Sequence, residues 1–283
     1  MAQIKQIVGE EFRRLQLLEL DMLVELDRVC RLNGIRYAIG CGTLLGAVRH
    51  KGFIPWDDDV DVFMLREEYE KFRHVAKEMN QDICFFQDHT TDSDYRWGYG
   101  KLRRTGTKFV RVGQEHLKCK TGVFIDIFPL DDTPNSTIGK MCQDFHCFIL
   151  RKLLWSEVGR FDVSASVVER CCYKLMSKIP IELVFRNLSS IQRNSSNGSP
   201  NEVRLLTFKS FGKLYRKRAN PLAKRYSMPK QWFLSTCEYE FEGKRFAGIG
   251  DYDAFLTWMY GDWMTPPPEN ERDPHSPVSE YEF

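Results

Sequence analysis

The sequence has no apolar run near the roughly 18 residues that a membrane-crossing helix needs. Its opening segment, MAQIKQIVGEEFRRL, lacks the apolar stretch and small-residue cleavage site of a secretory signal. A cytoplasmic protein is the expectation. There is no CxxC pair, and the nine cysteines are an odd number. Cys171 and Cys172 are neighbours, a poor geometry for bridging each other, so reduced thiols are expected rather than a disulfide framework. Cys142, His146 and Cys147 lie close together in MCQDFHCFIL, but no second half of a zinc site follows at matching spacing, and an apolar helix face accounts for them. Excess charge is also missing. A formal net charge of +2 does not mark the whole chain as a nucleic-acid binder. No internal repeat is visible. What remains is ordinary for a globular protein with a real core: 283 residues, 42% hydrophobic and 28% charged, enough for one large domain or two small ones.

Hydrophobic spacing predicts a helix over 10–33, where Phe12, Leu15, Leu18, Met22, Leu26 and Val29 recur at three- and four-residue steps before Asn33–Gly34. A short buried strand over 35–42 ends on glycine, and 43–50 reads as a helix. The loop 51–58 contains Pro55, 59–64 alternates as a strand, and 66–79 is helical. Strands are then expected at ICFFQD, WGYGKLRRTGTKFV and GVFIDIFPL. This order makes residues 1–135 a mixed α/β (α+β) catalytic core with an N-terminal helix. Residues 136–265 form a mainly helical region packed on it, broken at Pro180 and by a polar loop at 194–202. Residues 266–283 form a proline-rich acidic tail, extended or disordered.

One stretch is unusual. In IPWDDDVDVFM, Asp57, Asp58, Asp59 and Asp61 crowd beside residues that prefer burial. On a strand, positions i and i+2 share a face, so a strand that begins early groups Asp57, Asp59 and Asp61 opposite Val60 and Val62. Carboxylates held close raise one another's pKa, and a divalent cation relieves the repulsion. Magnesium or manganese is the expected ion, since magnesium takes a few hard oxygen ligands and completes its shell with water and phosphate. A solvated acidic loop is the plain alternative, but two further features favour the metal. GCGTLLGAVR is a strand-to-helix turn whose amides, at Gly42 and Thr43, can hold phosphate. Asp126 sits inside the apolar run GVFIDIFPL, a costly place for a carboxylate without a partner.

These residues resemble a known family. YAIGCGTLLGAVRHKGFIPWDDDVDVFM is similar to the signature of the LicD family, the bacterial phosphocholine transferases, distantly related to fukutin and fukutin-related protein. The likeness is close over about 17–135 and looser at 99–110 and 259–277. It implies a nucleotidyltransferase-like mixed sheet flanked by helices. It also implies metal ligands at Asp59, Asp61 and Asp126, with Asp57 as a further ligand, and a phosphate-contacting turn at Gly42 and Thr43. Asp126 is placed to serve as general base as well as ligand. The implied reaction is transfer of phosphocholine, or a similar phospho-alcohol, from CDP-choline or another CDP-alcohol to a sugar hydroxyl of a cell-surface glycan, releasing CMP.

Phosphates beyond a metal's reach need cations, and Arg49, Lys51, Lys101 and Arg103 are the candidates, with Arg104 beside them. Choline, a quaternary ammonium, is met by aromatic faces, and Trp56, Trp97, Tyr99, Tyr260 and Trp263 are the candidate rings, with Trp258 near them. Residues 203–225 hold eight Lys or Arg and no acid, and are expected to face a phosphate-rich acceptor or the inner surface of the cytoplasmic membrane. Two other functions stay open. The same carboxylates serve nucleotidyl transfer, in which NMP moves to the acceptor, and the fold also suits a catalytically silent binding protein.

Overall fold

The structure, a computed structural model, describes residues 4–195, 199–208, 227–272 and 277–283. Helix α1, Gly9–Leu32, opens with Glu10 and Glu11 and closes with Arg31, charges that suit the two ends of its dipole. It buries Leu15, Met22, Leu23, Leu26 and Val29, each worth roughly 1.5–3 kcal/mol when removed from water. Gly34 ends the turn after it at φ +62°, a left-handed conformation that costs glycine least. Strand β1, Ala38–Ile39, leads into α2, Cys41–His50, and β2, Asp61–Leu65, into α3, Arg66–Val75. Next come β3, Cys84–Gln87; β4, Gly100–Arg104; β5, Lys108–Arg111; and β6, Phe124–Thr133.

Helices α4, Thr137–Gly159; α5, Val167–Met176; and α6, Ile181–Ser195, build the helical region. They pack around a separate small core that includes Cys147, Leu150, Leu154, Phe185 and Leu188. Cys147 is thus an apolar core residue, while Cys142 is exposed and the ring of His146 bonds to Asn187, so the trio does not converge. All nine cysteines are free thiols.

The chain then returns to strands within the otherwise helix-rich 136–265. Strand β7, Ser199–Arg204, begins inside the segment read as a polar loop, and pairs with the end of β6 and with β8, Met228–Pro229. After the short helix α7, Gln231–Leu234, β9, Thr236–Phe241, and β10, Lys244–Ile249, form a hairpin that joins the main sheet through β1. Helix α8 spans Tyr252–Tyr260, and β11, Val278–Glu282, pairs with β5. The tail is therefore ordered at its end. The main sheet runs β3-β4-β6-β2-β1-β10-β9. It is mixed: β2 lies parallel to β6 and β1 to β10, and the remaining neighbours are antiparallel. The mixed α/β architecture agrees with the expected fold class. Among the described residues no helix is long and apolar enough to cross a membrane.

At the centre of this sheet, Phe63 on β2 packs against the rings of Phe128, Phe233 and Phe255. A Cβ at Gly40 would lie 2.2 Å from the Phe63 ring, so the glycine is set by packing. Because Phe63 is held on three sides, Gly40→Ala should destabilise the protein by about 1–3 kcal/mol. Urea unfolding measures it, and Phe63→Leu in the same chain should recover part of the loss. An unchanged urea midpoint in Gly40→Ala would contradict this packing.

Candidate active site

The site grows out of strand register. Asp61 on β2 is the cross-strand partner of Asp126 on β6, and Lys101 on β4 is the partner of Asp126 on its other side. Aligned residues on neighbouring strands point to the same face. Three titratable groups therefore stand in one row across adjacent strands, and the Lys101 ammonium contacts Asp126 Oδ1. Asp61 is fixed by its backbone. Its N–H donates to Thr43 Oγ1 at 2.9 Å, and its carbonyl accepts the Gly40 N–H at 3.0 Å. The next rung is tied by the Asp126 N–H, which donates to the carbonyl of Val60 at 2.9 Å.

Asp57 and Asp59 arrive by another route. The strand starts only at Asp61, so the expected strand face shared by Asp57, Asp59 and Asp61 is replaced by a tight loop. The Asp57 N–H closes a turn on the Ile54 carbonyl, and the buried side chain of Gln16 on α1 donates to the Asp57 carbonyl at 3.0 Å. The Asp57 carboxylate then lies over α2, where a Cβ at Gly42 would come within 2.3 Å of its Oδ2. Cys41, beside it, holds φ +46°, a strained left-handed value for a residue other than glycine.

These groups open onto a cavity of about 650 Å³. Asp57, Asp59, Asp61 and Asp126 line it, as do Gly42, Arg49, Trp56, Trp97, Tyr99, Tyr260 and Trp263. Thr43 does not, because its hydroxyl lies beneath, holding Asp61. Lys51 is exposed at the end of α2, outside the lining. Lys101 stands behind Asp126, and Arg103 is buried, donating to Gln87 Oε1 and the Gly122 carbonyl. Arg104 reaches the Ile83 carbonyl. Trp258 is packed in the core. The guanidinium of Arg49 donates to the Trp263 carbonyl at 2.8 Å, and that of Arg272 covers the Trp56 ring at 4.7 Å. The expected basic stretch 203–225 falls outside the described residues from 209 onward.

Two residues escaped the sequence reading. Arg111 lines the cavity, stacked on Phe124, and its buried Nε has no hydrogen-bond partner among the described residues. Nothing local in TKFVRVG marks it, since its place comes from β5 folding back toward β6. Glu19 is buried on α1, and its Oε2 has no hydrogen-bond partner among the described residues. It did leave a signal, an acid on the apolar face four residues after Leu15. Burial first, and then Asp58, Asp59, Asp57 and Asp126, push its pKa well above the usual carboxylate range. The same forces act on Asp61: burial, then Asp126 and Asp57, raise it to about 7. Burial depresses Lys101 to about 7, against the pull of Asp126.

Residues 34–151 match the family model described as LicD/FKTN/FKRP, nucleotidyltransferase domain. The chain is 30% identical over 280 residues to the lipopolysaccharide cholinephosphotransferase LicD of Haemophilus influenzae, covering 93% of this chain and 95% of that protein. The chain belongs to the LicD family. It is also 38% identical over 80 residues to an uncharacterised protein of Rickettsia typhi, 28% of this chain and 25% of that one. An uncharacterised protein of Rickettsia prowazekii is 45% identical over 49 residues, 17% of this chain and 18% of its own. As a LicD-family member the chain is a transferase.

In this LicD-family site, Asp61 gives a pH signature. Its folded pKa, about 7, exceeds the unfolded value near 4. The stability that neutral Asp61 contributes is complete below about pH 4 and is lost as pH rises through about 7. Asparagine stays neutral throughout. In EDTA, the melting temperature of Asp61→Asn minus that of the parent should therefore grow by several degrees from pH 4 to 7. A difference that does not change with pH would show that the Asp61 carboxyl is unperturbed.

Proposed function

We propose that the chain transfers phosphocholine from CDP-choline to a sugar hydroxyl of a lipopolysaccharide-type glycan, releasing CMP. One observation carries the reading: Asp61 and Asp126 meet rung to rung on parallel strands at a cavity large enough for a small-molecule donor and acceptor. Phosphocholine as the transferred group and lipopolysaccharide as the acceptor follow the name of the Haemophilus relative, similar along nearly the full length of both chains, and CDP-choline is the donor that the family resemblance implies.

The residues fit a magnesium-sized ion. The four aspartates offer hard oxygens, and the raised Asp61 and the Lys101 contact on Asp126 both report a demand for positive charge. Among the described residues no three His, Cys, Asp or Glu side chains converge tightly enough to hold an ion by themselves. Magnesium takes one or two carboxylates and fills the rest of its shell with water and phosphate oxygens. Asp61 and Asp126, with Asp59 and Asp57 adjoining, would hold magnesium or manganese together with water and phosphate oxygens, and the ion would supply positive charge to the diphosphate and the departing CMP.

The protein's own groups do the rest. Arg49 and Arg111 flank the cavity and bind the phosphate oxygens outside the carboxylates. The acceptor oxygen attacks the phosphorus that bears choline, the bond from that phosphorus to CMP breaks, and Asp126 takes the hydroxyl proton. Lys101 orients Asp126 through its contact with Oδ1. The trimethylammonium packs on Trp97, Tyr260 or Trp263, since Arg272 already covers Trp56 and Lys101 lies over Tyr99.

Phosphorus NMR of the intact protein with CDP-choline, magnesium and a lipopolysaccharide acceptor should show CMP and a phosphodiester appearing together. Asp61→Asn and Asp126→Asn should each remove turnover. Arg111→Gln should lower kcat/KM by about 10–100-fold through loss of a charge-assisted contact. Pyrophosphate released from an NTP, with no CMP from CDP-choline, would move the assignment to nucleotidyl transfer.

A further inference from the structure

Beside the carboxylate cavity lies a second one, of about 350 Å³. The two share Trp97, Tyr99, Trp155, Thr207 and Phe208. The strip from Trp97 to Tyr99 forms their common wall. It passes so close to Thr207 that a Cβ on Gly98 would come within 2.2 Å of the threonine methyl. The far side of the second cavity belongs to the helical region, with Phe148 and Trp155 from α4 and Tyr173 from α5.

Its walls are aromatic, yet three cations line it: Arg96, Arg151 and Lys152. Their hydrogen bonds go to neutral groups. Arg96 donates to the carbonyls of Leu153 and Leu154 and to Ser156 Oγ, Arg151 donates to the Phe208 carbonyl, and Lys152 donates to Tyr173 Oη. Among the described residues none of the three forms an ion pair. The nearby acids are engaged elsewhere: Asp144 with Arg204, Glu157 with Arg160, and Glu169 in the cap of α5. Burial lowers the pKa of both Arg96 and Arg151 against the pull of Glu157 on one and Asp144 on the other, so these guanidiniums lie where a charge without a paired carboxylate is costly. Arg49, Arg111 and the aspartates attend the donor's phosphates in the first cavity. The three cations of the second therefore answer to a different anion.

We infer that the second cavity is an acceptor subsite for an anionic sugar, one that carries a phosphate or a carboxylate. The C–H faces of a pyranose ring pack on Trp155 and Phe148, and the charged substituent meets Arg151, Lys152 and Arg96. The shared wall lets the neighbouring sugar of the same glycan present its hydroxyl to Asp126. This inference rests on the transferase reading above but not on which donor is used.

The test is calorimetry on the intact protein with glucose 6-phosphate, glucuronate, glucose and inorganic phosphate as probes. Either charged sugar should bind at least about tenfold more tightly than glucose and than inorganic phosphate. Arg151→Gln and Lys152→Gln should each remove most of that preference. Trp155→Ala, a change at a partly exposed ring, should weaken every sugar probe and leave inorganic phosphate unaffected. In Arg151→Gln and Lys152→Gln magnesium with CDP-choline should raise the melting temperature as in the parent. Equal binding of glucose and glucose 6-phosphate, displacement of the sugar phosphate by CMP, or variants indifferent to the charge would each overturn the subsite. The sugar probes need no donor. If CDP-choline fails to shift the parent's melting temperature, the donor assignment fails while the subsite stands.

Discussion

Everything at this site depends on a repulsion. Asp61 and Asp126 occupy facing rungs of parallel strands, with Asp57 close enough to add to the charge on Asp61. Left alone, such a group would spread apart or hold a proton. The fold prevents the first by clamping the backbone: Thr43 and Gly40 hold Asp61, Val60 holds Asp126, and Gln16 holds the loop at Asp57. What remains is an unmet need for positive charge. Lys101 meets part of it, and because the lysine is itself buried and depressed to about 7, it is a partner that can yield its proton near neutral pH.

This constraint explains why glycine recurs around α2. Gly40 makes room for Phe63, which locks β2 into the aromatic core, and Gly42 makes room for the Asp57 carboxylate. The two glycines do different work. One secures the strand that carries Asp61, and the other lets a second carboxylate approach the start of the helix. Cys41, between them, accepts a left-handed backbone, and the compact turn concentrates its strain beside the aspartates.

What could be read in the sequence was whatever depends on short range. The DDDVD cluster, the glycine turn and Asp126 in an apolar run were visible because charge beside apolar residues violates local pattern. The order of helices and strands up to Asp126 followed from periodicity. Strand β9 was harder than its partner β10, since TCEYEF is mostly exposed and does not show the alternation of a half-buried strand. Lys101 was legible as a cation near Asp126 in sequence, but its burial behind that carboxylate is a matter of register between β4 and β6. Arg111 depends on a chain reversal, and no sequence spacing encodes which cavity a reversed strand will face.

Glu19 shows the cost of the arrangement most plainly. A carboxyl buried behind four aspartates, with an oxygen lacking a hydrogen-bond partner among the described residues, opposes stability at any pH that ionises it. Helix α1 could carry leucine there and fold at least as well by packing alone. A neutral Glu19 instead adds no charge to the crowded loop. The balance of charge at the site is therefore shared between its two sides: Lys101 lies behind Asp126 on β4, and Glu19 lies behind the loop on α1. Neither lines the cavity, and both feel the charge of aspartates that do.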